Sequence, residues 1–95
     1  MLIYEVNLVV VKEIADAFAA WLKKHIDEVV RCGNFEKAEW YKSDKGEQTI
    51  HYYVKDRATL DKYLESHAPR LRKEGMEKFP NQFSATRRVL ELREL

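Results

Sequence analysis

The chain has 95 residues, 45% of them hydrophobic and 35% charged, and its 17 basic and 16 acidic side chains leave a net charge of +1. It is too apolar for a disordered segment, too interrupted by charge for a membrane span, and too near neutrality for a protein that grips a phosphate backbone. Cys32 is the only cysteine, which excludes an internal disulfide and fits a reducing compartment. The opening Met-Leu-Ile-Tyr-Glu lacks the basic and apolar regions of a secretory signal, so one domain over residues 1–95, located in the cytoplasm, is expected.

Leu2–Val11 starts with period-two alternation and ends in a β-branched run, the pattern of a strand. One face carries Leu2, Tyr4, Val6, Leu8 and Val10, and the other Ile3, Glu5, Asn7 and Val9. Lys12–Phe35 follows as a long amphipathic helix. At about 100° per residue, Ile14, Phe18, Leu22, His25 and Val29 form its apolar stripe, flanked by Ala15 and Trp21. An imidazole near the middle of that stripe is its one anomaly. Gly33-Asn34 supplies a left-handed closing residue, and Arg31 sits where the helix dipole favours a cation.

Phe35–Lys42 is a second strand, Ser43-Asp44-Lys45-Gly46 a hairpin turn with Gly46 at the positive-φ position, and Gln48–Val54 a third strand. Asp56 is placed to cap a helix over Arg57–His67, with Leu60, Leu64, His67 and Leu71 at helical spacing and Tyr63 beside them. Pro69 predicts a break at His67-Ala68-Pro69, followed by a further helical piece over Arg70–Lys78. Pro80-Asn81 ends it, and Gln82–Leu92 is a fourth strand.

The order strand, helix, strand, strand, helix, strand, with right-handed crossovers, gives a ferredoxin-like α+β fold, βαββαβ. Its antiparallel sheet is ordered 4-1-3-2, with the helices on one face. The other face would present Ile3, Glu5, Asn7 and Val9, joined by Phe83, Ala85, Arg87 and Val89 if the alternation holds. That face is too apolar for comfortable exposure, so a second copy of the sheet is its expected cover, making a homodimer.

Over nearly its whole length the sequence resembles a bacterial family known as domain of unknown function number 4286. The resemblance rests on Ile3-Tyr4-x-Val6, Trp21 with His25-Ile26-x-x-Val29, and Gly33-x-Phe35. It continues through Tyr52, Tyr63-Leu64-x-x-His67-Ala68-Pro69-x-Leu71-Arg72 and Phe83-x-Ala85-x-Arg87-x-x-Leu90-Glu91. It supports the fold and implies no activity. The topology is also similar, more remotely, to the dimeric α/β-barrel superfamily, in which two such sheets pair face to face. That superfamily includes cofactorless monooxygenases and isomerases, but one fold hosts many chemistries.

Two constellations are candidates for chemistry. His25 and His67 lie on the stripes of helices that share one side of the sheet, and they could meet each other or Tyr4, Tyr52 and Tyr63 in the seam. They would then either bond a tyrosine or a carbonyl and fix packing, or serve as acid or base in a pocket. Glu5 and Arg87 could face each other across neighbouring strands, with Asn7 nearby and, register permitting, His51 or Tyr53. They would form an ion pair under a dimer interface, or Arg87 would hold the carboxylate or enolate oxygen of a ligand. Catalytic candidates are therefore His25, His67 and Arg87, and ligand-binding candidates Glu5, Asn7, Trp21, Tyr52, Tyr63 and Arg87, with Trp40 a possible cavity wall. No third ligand accompanies the histidines, so no metal is expected, and no cofactor motif is present. An RNA-recognition module would carry a glycine-containing signature where the third strand reads QTIHYYVK. Neither nucleic acid nor membrane is an expected partner, which leaves a ligand-binding or structural homodimer, with a cofactorless small-molecule enzyme as the alternative.

Overall fold

In the computed structural model, which describes residues 1–95, strand β1 (Leu2–Val10) runs through a short 3-10 turn (Lys12–Ile14) into helix α1 (Ala15–Gly33). Strands β2 (Lys37–Lys42) and β3 (Gln48–Val54) form the hairpin, helices α2 (Arg57–Ser66) and α3 (Ala68–Lys78) follow, and β4 (Phe83–Glu91) closes the sheet. The strand order is β2-β3-β1-β4, every neighbouring pair antiparallel. This is the ferredoxin-like βαββαβ arrangement.

The local devices match their sequence signals. Asn34 takes the left-handed conformation (φ 55°) that ends α1, and Gly46 turns the hairpin at φ 86°. Asp56 caps α2 by accepting from the Thr59 backbone N–H at 2.9 Å. His67, at φ −124° and ψ −34°, interrupts the helical run, and Pro69 sits in the first turn of α3.

The core lies between the helices and one sheet face. Phe18, Leu22, Ile26 and Val29 of α1, Leu60 and Tyr63 of α2, and Ala68 and Leu71 of α3 pack over Tyr4, Val6, Leu8, Ile50, Tyr52 and Val54. Ile26, rather than His25, is the buried member of the α1 stripe, and His25 is only half-buried. The reason is local: the stretch of α1 carrying His25 and Trp21 borders a cavity instead of packed side chains.

The face assigned to β4 needs correction. Val10 pairs with Phe83 and Val6 with Arg87, so Phe83, Ala85, Arg87 and Val89 lie on the helix side of the sheet. Ser84, Thr86, Arg88 and Leu90 share the open face with Val9, Asn7, Glu5 and Ile3. The alternation is real, but its apolar set joins the core, where the Phe83 ring meets Phe18 at 5.0 Å. Parity is set at the turn, where Asn81 adopts φ 59° and the Val11 N–H donates to the Gln82 carbonyl at 2.9 Å. A one-residue change of register exchanges the two faces completely. Trp40, opposite Ile50, also lies on the helix side, where its indole N–H donates to Gln48 Oε1. It therefore walls nothing on the open face.

Candidate functional site

A cavity of about 250 Å³ lies between the helix layer and the β1–β4 half of the sheet. Tyr4, Tyr52, Ala85 and Arg87 contribute to its floor, Trp21 and His25 of α1 and Arg72 of α3 to its roof, and Tyr63 of α2 to its inner end. It reaches the surface beside Met76, which is 57% exposed. Gly75 lets α3 approach this closely. A Cβ there would stand 2.9 Å from the Trp21 ring and 3.4 Å from Phe83.

The polar groups are few. Tyr4 accepts a hydrogen bond from Arg72 Nη2 at 3.0 Å. Tyr52 and Tyr63 are buried residues whose hydroxyls have no hydrogen-bond partner within the protein, yet no fully enclosed side-chain polar atom is left unpaired. Their oxygens therefore meet the cavity surface. Burial pushes both phenols well above the ordinary tyrosine range, with neighbouring tyrosines adding to the shift and Arg87 opposing it. At neutral pH they are protonated donors.

His25 stacks on Trp21 with ring centroids 4.5 Å apart and planes 22° from parallel. It hydrogen-bonds neither a tyrosine nor a carbonyl, and packs through the Trp21 ring instead. Burial lowers its pKa, Glu74 pulls against this, and Arg87 reinforces it, so the imidazole is held toward its neutral form. His67 is not part of this wall. It stacks on Tyr63 with ring centroids 6.5 Å apart, at the junction of α2 and α3. The two histidines therefore do not share one site.

Glu5 and Asn7 belong to a different place. On the open face, Glu5 is 5% exposed although no helix covers it. Arg88 Nε donates to Glu5 Oε2 at 2.5 Å, the Asn7 amide donates to the same oxygen at 2.9 Å, and His51 Nε2 lies 2.9 Å from Oε1. Thr49 extends the chain by donating to Asn7 Oδ1 at 2.7 Å. With Arg88 as the largest influence, the Glu5 carboxyl is lowered to about 2. Nearby, Glu39 accepts from Tyr53 at 2.6 Å and Tyr41 at 3.0 Å. Of the anticipated ligand-binding set, Trp21, Tyr52, Tyr63 and Arg87 thus come together with His25, while Glu5 and Asn7 join an ion-paired network on the opposite side.

Two residues escaped the reading of the sequence. Arg88 was passed over in favour of its neighbour because the strand's parity was misjudged. Arg72 left a signal. Ala68, Leu71, Arg72 and Gly75 occupy i, i+3, i+4 and i+7 of α3, so a guanidinium stands on the inner face where an apolar side chain is the rule. No group of three or more His, Cys, Asp or Glu side chains is placed to share a metal ion, and no helix is long and apolar enough to cross a membrane.

A four-stranded antiparallel sheet carrying its helices on one face, with a cavity between the layers, places the chain among proteins of the ferredoxin-like fold. More particularly, it belongs to the family described as Domain of unknown function (DUF4286), which matches residues 1–93. No curated protein matches it in sequence. Among solved structures it is similar to an antibiotic biosynthesis monooxygenase (TM-score 0.75, 16% identity, covering 99% of this chain and 100% of that one). It is similar also to a mutant of SnoaB, a cofactor-independent oxygenase from Streptomyces nogalater (TM-score 0.75, 9% identity, 99% and 95% covered). A de novo designed protein, Foldit4, shares the fold as well (TM-score 0.61, 20% identity, 97% and 98% covered). A designed protein in this company underlines that the fold by itself carries no activity.

Proposed function

We propose that this protein is a homodimeric small-molecule-binding module whose ligand sits in the cavity beside His25. The observation that carries this reading is the pair of tyrosine hydroxyls, Tyr52 and Tyr63, which meet an apolar cavity with no hydrogen-bond partner in the protein. A core packed for stability alone would pair or exclude such groups. Apolar walls with a few convergent donors are the usual make-up of a ligand site. At 250 Å³ the space suits a compact ligand of one or two rings, because sites for drug-sized ligands start at about 300 Å³.

The test uses a two-ring aromatic amide, 2-naphthamide, followed by calorimetry and by the indole N–H resonance of Trp21. Saturable binding that shifts this resonance, and that Ala85→Phe abolishes by filling the cavity, is the expected result. If neither 2-naphthamide nor its carboxylate analogue, 2-naphthoate, binds at millimolar concentration, the reading is wrong.

The second copy belongs on the open face. Ile3 and Leu90 are half-buried there in the isolated chain and Val9 is 57% exposed, around a carboxylate already neutralised by Arg88. A two-fold pairing buries that patch on both chains with no unpaired charge at its centre. The free thiol of Cys32 suits a reducing location, the cytoplasm.

His25 supports a second reading, as a cofactorless enzyme. A neutral imidazole on the wall of a cavity that also holds Arg87 has the parts for proton abstraction next to a carbonyl. The C–H bond breaks, its electron pair moves to an enolate oxygen beside the guanidinium, and the proton goes to His25. Exchange of the acidic C–H protons of 2-indanone with D₂O reports this step. Acceleration by the protein and its loss in His25→Gln favour catalysis, and exchange at the buffer rate favours binding alone.

A further inference from the structure

Among the side chains that line the cavity are two guanidiniums, Arg72 and Arg87, and one imidazole, but no carboxylate. Neither arginine takes part in an ion pair. The chain's other close pairs use Arg57, Arg70, Arg88, Lys37, Lys73 and His51. In a chain with nearly as many acidic as basic residues, a semi-enclosed space without one acidic side chain is a local excess of positive charge. We infer that the ligand of this cavity is an amphipathic anion, an apolar ring system bearing a carboxylate, enolate or phenolate oxygen, with that oxygen held at the Arg87 end. The inference rests on the binding reading above and goes further by fixing the ligand's charge and orientation.

The geometry supports it from several directions. Arg87 comes from β4 and Arg72 from α3, so the two cations approach from the floor and the roof of one opening. Arg72 spends one N–H on the Tyr4 hydroxyl and keeps its remaining donors. The free hydroxyls of Tyr52 and Tyr63 stay protonated and donate, and both phenols feel the charge of Arg87. The acid whose charge acts on His25 is Glu74, which lies outside the lining and is engaged by Arg70 Nη1 at 3.1 Å. Donors and cations therefore converge with no acceptor of matching strength. An oxyanion supplies that acceptor and gains charge-assisted hydrogen bonds in a largely apolar setting. Phe18, Leu22 and the Trp21 ring supply apolar and aromatic surface for the remainder of the ligand.

The experiment compares 2-naphthoate with 2-naphthamide, which share a shape and differ in charge, on the wild-type protein by calorimetry. The carboxylate should bind at least about tenfold tighter, as one charge-assisted hydrogen bond in place of a neutral one allows. Arg87→Met should reduce that preference to near unity. Arg57→Met removes the same charge from an exposed position of α2 that does not line the cavity and should leave the preference intact. Arg87→Lys, which keeps the charge, should retain most of it. Arg87→Gln, which removes the charge but keeps a polar side chain, should lose it and answers the question if Arg87→Met does not fold. A preference intact in the charge-removing variant overturns the assignment to Arg87. Equal affinities for the two probes, or a tighter amide, overturn the anion assignment while leaving the cavity as a ligand site. A preference lost equally in Arg57→Met overturns it as well, because the attraction would then come from net charge. Absence of binding by both probes overturns the underlying reading with it.

Discussion

Glu5 faces Arg88 across the β1–β4 ladder, Nε to Oε2 at 2.5 Å, on a sheet face that no helix covers. Arg88, then Asn7 and His51, hold the Glu5 carboxyl down at about 2 against the opposing effect of burial. The sign of the linkage follows. A carboxyl whose folded pKa is depressed contributes stability above its unfolded pKa and loses it as pH falls through the folded value. This contribution should therefore be complete above about pH 4.5 and fade toward pH 2. Glu5→Gln should flatten the acid limb of a stability-versus-pH curve and cost about 1 kcal/mol at pH 7, the worth of a partly screened charged hydrogen bond. Urea midpoints between pH 2 and pH 7 measure both effects, and identical acid limbs in the two proteins would refute the assignment.

His25 has a linkage of the same sign, but it arises from desolvation rather than from an ion pair. Burial against Trp21 lowers its pKa, so the unfolded chain binds the proton more readily and the histidine weakens the fold as pH drops below its unfolded value. Its imidazole resonances should titrate with a midpoint below about 6.5, the value of an unperturbed histidine. His25→Phe keeps the stack on Trp21 and removes the titration. Stability of that variant should be less sensitive to pH between about 5 and 7, where an ordinary histidine changes charge.

Element types and order were legible because each rests on local chemistry: alternation in Gln48–Val54, the Asp56 cap, Asn34 and Gly46 at positive φ, the break before Pro69. The aromatic and histidine members of the cavity were legible too, since Trp21, His25, Tyr52 and Tyr63 stand on inward faces of their own elements. What was not legible is the relation between elements. The face on which β4 presents its alternate residues depends on the backbone path through Pro80-Asn81, and that one-residue parity decides whether Arg87 or Arg88 meets Glu5. His25 sits on the stripe by periodicity, but periodicity carries no information about whether the stripe rests on side chains or over a cavity.

Gly33 shows a close approach that the sequence disguised as a helix end. A Cβ at this position would lie 2.6 to 2.8 Å from three carbons of the Phe35 ring, which folds back beneath the last turn of α1. Phe35 is buried against Tyr52 and Tyr63, so the ring cannot swing away freely. Gly33→Ala should therefore destabilise by about 1–3 kcal/mol through overpacking, despite the better helix propensity of alanine. A denaturation midpoint equal to that of the wild type would mean that Phe35 relocates without cost.

Val89 and Leu90 are adjacent in sequence and lie on opposite sides of the sheet, which makes them a sharp probe of the proposed sheet-to-sheet dimer. Leu90 pairs with Ile3 on the open face, and neither is part of the core beneath the helices. Val89 pairs with Tyr4 and packs against that core. A carboxylate at either position replaces a half-buried apolar side chain, but it meets different surroundings. In the proposed dimer the Leu90→Asp carboxylate would face the symmetry-related patch of the second chain and be desolvated only on association, so the dimer dissociation constant should rise at least about tenfold, equivalent to about 1.4 kcal/mol. The isolated protomer should stay folded, because water can still reach the new carboxylate. In Val89→Asp the carboxylate enters the helix side, and the protomer itself should lose about 1–3 kcal/mol. Sedimentation at micromolar concentration, paired with urea unfolding of each variant, separates the two effects. A monomeric wild-type protein would refute the sheet-to-sheet dimer, and so would a Leu90→Asp protein that associates as tightly as the wild type.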